Sequence, residues 1–265
     1  MRRIAIIVTC ALCASGSALV PTAARSASPP SSSGLIAKMI QAYGGAALLD
    51  SIKSTVVVAS LTLQGQDGTV TTTTQVPNKS VEVVAVPAFH ATITTGYDGT
   101  NGWTSDGYGN VKALTGDQLA STRCNSTDLT YAMQHPDPTI VFAQQPNQTV
   151  GGKSLLTLLF SQKDCPTITL LVDPKTYLIT RFVSALQTID FSDYEKGPLG
   201  EMYPKTAVIN GGIGTYYTTV TSIQDNVAID PSMFAMPAAG SAAPQPSPSP
   251  AVSAAPAPSP SASPQ

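Results

Sequence analysis

Ile93-Thr-Thr-Gly-Tyr-Asp-Gly-Thr-Asn-Gly-Trp-Thr-Ser-Asp106 reads as a strand, a tight reversal and a second strand. Gly96 and the run Asp98-Gly99-Thr100-Asn101-Gly102 supply residues that tolerate positive φ at a reversal. Ile93, Tyr97 and Trp103 supply the large side chains that a sheet face buries.

Upstream, the same two-residue period sets Val57, Ala59, Leu61 and Leu63 on one strand face and Val58, Ser60 and Thr62 on the other. Gln64-Gly-Gln-Asp-Gly68 predicts a hairpin into Thr69 to Val76, Pro77-Asn78 turns again, and Val81, Val83 and Ala85 share a face over residues 80–86. Downstream, strands are predicted over 155–161, 167–172, 177–183, 186–194, 205–210 and 214–224, with Asp173-Pro-Lys-Thr176 as a turn. Helical spacing appears at Leu35, Ile36, Met39, Ile40 and Tyr43, where Ser33 is placed to cap, and again over 46–52. Thr115-Gly-Asp-Gln118 has capping-box spacing before a helix running through Cys124 and breaking near Asn125-Ser126, with more helix over 128–134. Consecutive hairpins with helices at the front and in one insertion predict an antiparallel α+β fold.

The ends differ from this middle. A basic start, the apolar stretch Ile4 to Val20 and small residues up to Ala24 and Ala27 form a secretory signal over 1–27, cut after Ala24 or Ala27. The stretch is shorter than the ~20 residues that span a bilayer, so no transmembrane segment is expected in the mature chain. Neither Cys10 nor Cys13 follows a small residue, so lipid attachment is not expected. Residues 28–34 read as a linker, 35–237 as one domain, and 238–265 as a Pro, Ala and Ser spacer with nothing to bury.

Loss of the signal removes Arg2 and Arg3, and Arg25 too with the later cut, but no acid. The formal charge therefore moves from −2 to −4 or −5, which argues against nucleic acid as a partner. Charged residues are only 11% of the chain, and Thr, Ser, Gln and Asn cover its polar faces instead. Cys124 and Cys165 remain after export, an even pair in an oxidising space that favours a disulfide over two separate buried thiols.

Signatures of chemistry are sparse. His90 and His135 have no ligand neighbours at metal-binding spacing, and no nucleophile elbow or zinc-protease motif occurs. Val150-Gly-Gly-Lys-Ser154 lacks the earlier glycine of a phosphate loop, Asn147 standing there. Asp98-Gly-Thr-Asn-Gly lacks the sixth-position glycine and twelfth-position acid of a calcium loop. Asp190 and Asp193 point to opposite faces of one strand, and sequons at Asn78, Asn125 and Asn147 matter only in a glycosylating host. No cofactor and no enzymatic activity is expected. The remaining candidate is a cavity on an apolar sheet face, against an ordinary packed core.

Three segments resemble the LolA/LolB-type outer-membrane lipoprotein-sorting carriers: Ile36 to Lys53, Gly96-Tyr-Asp-Gly-Thr-Asn-Gly-Trp103 continuing to Leu119, and Val172-Asp-Pro-Lys-Thr-Tyr-Leu-Ile179. Asp225 to Phe234 is similar to the closing segment of such domains. The resemblance implies a strongly curved antiparallel sheet forming an incomplete β-barrel closed by helices. It also implies an apolar interior for lipid or acyl chains, in the periplasm or another extracellular or envelope space, with an envelope protein as a further partner. On that basis Val57, Leu61, Val83, Ile93, Trp103, Leu170 and Ile179 are expected to line the concave side. The alternative is an accessory exported domain with a filled core and a spacer tail.

Overall fold

The structure, a computed structural model, describes residues 32–212, 214–238 and 240. The expected signal, most of the linker and nearly all of the tail lie outside the described residues. Helices α1 (Ser33–Ala42), α2 (Ala46–Ser51), α3 (Gly116–Asn125) and α4 (Leu129–Gln134) accompany a thirteen-stranded antiparallel sheet. Its strands are β1 (Ser54–Leu63), β2 (Gln66–Gln75), β3 (Lys79–Val86), β4 (Ala91–Tyr97), β5 (Gly102–Asp106), β6 (Val111–Ala113), β7 (Ile140–Val150), β8 (Lys153–Gln162), β9 (Ile168–Val172), β10 (Ile179–Val183), β11 (Gln187–Lys196), β12 (Met202–Gly211) and β13 (Gly214–Asp225). The order β6-β5-β4-β3-β2-β1-β13-β12-β11-β10-β9-β8-β7 is two runs of hairpins joined by the first and last strands, leaving β6 and β7 as edges of an open sheet.

Turn chemistry explains the hairpins. Gln64 and Gly65, both at positive φ, make the two-residue β1–β2 reversal. Gly151 and Gly152 do the same between β7 and β8, so the glycine-lysine run is a hairpin. At the deciding stretch, the Asp98 carboxylate accepts the backbone N–H groups of Thr100 and Asn101 at 2.7 Å each, and the Tyr97 hydroxyl donates to the Gly99 carbonyl at 3.1 Å. Burial alone would raise the Asp98 carboxyl. The Asn101 and Thr100 N–H groups and the Asn101 amide outweigh it and hold the carboxyl below its ordinary value. Its oxygens thus serve the turn.

The sheet curls strongly, and α3 demonstrates it. Leu119 of α3 lies over Gly102 of β5, while Cys124 of the same helix is bonded to Cys165 in the β8–β9 turn. In a flat sheet β5 and β8 would lie ten strand spacings apart, roughly 48 Å, whereas a ten-residue helix is about 15 Å long. Only a sheet bent round on itself brings both within reach.

Cross-strand pairing sorts the side chains into an inner face, carrying the helices, and an outer one. On the inner face Leu61, Val70, Val86, Phe160, Leu170, Ile189, Ile209 and Tyr216 join Leu35 and Met39 of α1, Leu49 of α2 and Ala132 and Met133 of α4 in one buried cluster. On the outer face Val81, Val83 and Trp103 form a second cluster with Phe234, from the 3-10 turn Pro231–Phe234.

Three expectations differ in detail. Helix α1 starts at Ser33, and Ser32 rather than Ser33 occupies its N-cap position, with its hydroxyl donating to the Phe142 carbonyl at 2.7 Å. The Thr115 capping box does not form, because Thr115 makes no side-chain cap bond. Strand β7 was not expected at all, since Pro146 interrupts it. It is tolerated because β7 is an edge, with its register slipping between Gln145 and Gln148.

Candidate apolar binding cleft

Helix α1 is held on the inner face by Tyr43, the residue at its C-cap. The Ile179 N–H donates to the Tyr43 hydroxyl at 3.0 Å, the Tyr194 hydroxyl donates to the Ile179 carbonyl at 2.6 Å, and the two hydroxyls lie 3.0 Å apart. The ring satisfies the Ile179 backbone where the β9–β10 register shifts. Burial raises the Tyr43 phenol well above its ordinary value, the bonds with Tyr194 and Ile179 opposing it only in part.

Helix α4 begins with a complete cap: the Asp128 carboxylate accepts the N–H groups of Thr130 and Tyr131 at 2.9 and 3.0 Å. At its end His135 Nε2 lies 3.1 Å from Asp50 Oδ1 of α2, with the His135 ring stacked at 3.9 Å on Tyr131. The His135 hydrogen bond, then the Lys53 charge, keeps the exposed Asp50 carboxyl below its ordinary value.

Between the start of α1, the end of α4 and edge strand β7 lies a cleft of about 360 Å³. Ile36, Ala132, Met133, Ile140, Phe142 and Ala143 give it an apolar wall, and Ser32, Ser33 and Asp137 contribute polar atoms. Ala132 and Met133 belong to the main cluster and Ile36, Ile140 and Phe142 pack against it, so the cleft opens on the margin of the inner-face core. The Asp137 carboxylate already accepts the Thr139 N–H and hydroxyl at 2.7 Å each. Among the described residues no three His, Cys, Asp or Glu side chains gather to hold a metal ion, and no helix is long and apolar enough to cross a membrane.

The seven expected lining residues fall in different places. Leu61, Leu170 and Ile179 are buried in the main cluster. Val57 is half-buried on the inner face, and Ile93, of the same parity, is 39% exposed toward the sheet's rim. Val83 and Trp103 lie on the outer face, because Trp103 pairs with Gly96 and Val83 with Thr94. Strand parity therefore separates them from the others, and none of the seven borders the cleft. The residues that do border it come from α1 and the serine before it, from α4, from the loop after α4 and from β7. The apolar run Ile140 to Ala143 was the available signal.

No protein-family model matches the chain, and no curated protein matches it. Solved structures do. A domain from Vibrio parahaemolyticus described as an outer-membrane lipoprotein-sorting protein aligns over 77% of this chain and 95% of its own, with TM-score 0.54 and 9% identity. A DUF1329 family protein from Desulfovibrio piger aligns over 76% and 95%, with TM-score 0.52 and 14% identity. A LolA superfamily protein from Nitrosomonas europaea aligns over 76% and 96%, with TM-score 0.51 and 11% identity. The chain shares the fold of the LolA-superfamily and lipoprotein-sorting structures.

Proposed function

We propose that the protein is an exported, non-enzymatic binder or carrier of lipid, of lipoprotein acyl chains or of another apolar ligand. In this reading α1, α3 and α4 close the concave side of an incomplete barrel, and the ligand enters between α1, α4 and β7. The observation that carries it is the cleft of about 360 Å³ bordered by Ile36, Met133, Ile140 and Phe142, above the ~300 Å³ at which small-molecule sites begin. Each methylene removed from water contributes about 0.8 kcal/mol, so a few carbons of one acyl chain give useful affinity without any charged partner. The shared fold with lipoprotein-sorting structures supports the same reading, and an envelope protein is the natural donor or acceptor of such a cargo.

A second reading is an accessory exported domain with a filled core, its tail over 238–265 acting as a spacer. It is favoured by Met39, Leu158, Leu170, Val172, Ile179 and Ile209, all with zero exposure, which leave the interior behind the cleft packed by the chain itself. Native mass spectrometry of the purified protein, with titration of a fluorescent fatty-acid analogue, separates the two. Binding that Ala143→Trp abolishes, with the fold retained, supports the carrier; no lipid and no probe binding leaves the accessory domain.

A further inference from the structure

The α3–α4 insertion stands between the two arms of the curled sheet and is fastened to each differently. On the β2–β5 arm it is seated by packing and polar contacts. Leu114 and Leu119 cover Gly102, Ser126 and Ser80 hydroxyls lie 2.7 Å apart, and the Asp128 N–H donates to the Pro77 carbonyl at 3.2 Å. On the β8–β9 arm the covalent and polar fastening is concentrated at the end of β8 and the turn that follows it, residues 162–167. There Cys124 is bonded to Cys165, Arg123 Nη2 donates to the Lys163 and Asp164 carbonyls at 3.2 and 3.3 Å, and Thr127 donates to Gln162 at 2.9 Å. The two Arg123 bonds are exposed, where water competes for both partners, and only the Thr127 bond is half-buried, so the covalent link dominates this side. The two sulfurs differ in access. Cys124 is buried on the helix, whereas Cys165 is half-buried between exposed Lys163, Asp164, Pro166 and Thr167. Asp164 beside it pairs with Arg123 at 4.0 Å and so offsets the Arg123 charge, leaving Lys163 as the cation nearest in the chain to an approaching thiolate.

We propose that the Cys124–Cys165 disulfide is a reducible latch: a dithiol opens it and frees the α3–α4 insertion from the β8–β9 arm, loosening the wall of the cleft. A thiolate of the dithiol attacks Cys165 Sγ, and Cys124 leaves as a thiolate that takes a proton from water. The second thiol of the reductant then displaces Cys165, so one disulfide becomes two thiols and the dithiol becomes a disulfide. Because α3 keeps its seat on β5, Ser80 and the Pro77 turn while α4 rests chiefly on the short helices α1 and α2, release lets the insertion pivot about that side and moves Ala132 and Met133, which border the cleft. The consequence for cargo rests on the proposed binding of an apolar ligand; the release of the helices does not.

The experiment uses the full chain in three forms: oxidised, treated with dithiothreitol, and carrying Cys124→Ser with Cys165→Ser. Amide hydrogen exchange over residues 116–134 is expected to speed up about tenfold in the reduced and doubly substituted forms, while β9 to β13 stay protected. A fluorescent fatty-acid analogue is expected to leave those two forms about tenfold faster than the oxidised one. Unchanged exchange over 116–134 overturns the latch, and so does a collapse of protection across the whole sheet, which makes the bond a general staple. If exchange changes as expected but no form binds the probe, the latch stands and the carrier reading falls.

Discussion

Gly96 and Trp103 face each other across β4 and β5, and a Cβ added at Gly96 would lie 2.2 Å from the indole ring. The ring cannot yield, because Nε1 donates to the Phe234 carbonyl at 2.9 Å and the residue is 1% exposed. Gly96→Ala is therefore expected to cost about 2 kcal/mol or more in urea unfolding. Trp103→Phe keeps an aromatic side chain but removes the indole N–H and part of the ring system, leaving that carbonyl buried without its donor, an expected loss of about 1–3 kcal/mol from the hydrogen bond with a further cost for the vacated space. Charge acts differently at Asp50. Its folded carboxyl titrates below the unfolded one because His135 and Lys53 favour the ionised form. That contribution is present above the unfolded value near 4 and is lost as pH falls through the folded one. An NMR titration should find the Asp50 pKa moving up toward its ordinary value in His135→Ala; no movement removes the pair from the account.

Element boundaries show what the chain reveals by itself. A two-residue period, as over Val57 to Leu63, or a short apolar run, as over Ile168 to Val172, was legible as a strand, and Asp128 was legible as the start of a helix. Strand β7 was not, because an edge needs neither an N–H at Pro146 nor a hydrophobic alternation over Gln144-Gln-Pro-Asn-Gln148. The cleft was missed with it, since β7 is one of its walls. Parity was the other gap. Val83 and Leu61 look alike in sequence, and only the pairing register sends one outward to Phe234 and the other inward to α1. The two helix starts in the insertion test the same point. Asp128→Ala removes a cap that accepts two N–H groups and is expected to cost about 1 kcal/mol. Thr115→Ala removes no cap bond and is expected to change stability by less than about 0.5 kcal/mol, both read from chemical denaturation.

At the scale of the molecule, the two clusters sit on opposite faces of shared strands: β3 sends Val81 and Val83 to the outer one and Val86 to the inner one. The segment after β13 is sewn to the sheet at both ends, by Ser54 donating to the Val227 carbonyl at 2.6 Å and by Trp103 donating to Phe234. Detaching it would uncover Val81, Val83 and Trp103 together, so the outer cluster is not expected to melt ahead of the strands beneath it. Trp103 is the only tryptophan, which makes its fluorescence a report on the outer cluster, while far-UV circular dichroism reports on the sheet. The two signals should share one midpoint in urea, as a two-state domain requires. Phe234→Ala, which empties the centre of the outer cluster at an expected cost of about 3–5 kcal/mol, should lower both midpoints together. A fluorescence transition that precedes the loss of sheet would mean that the C-terminal segment is a separately melting strap, and that the outer cluster contributes little to holding the curled sheet.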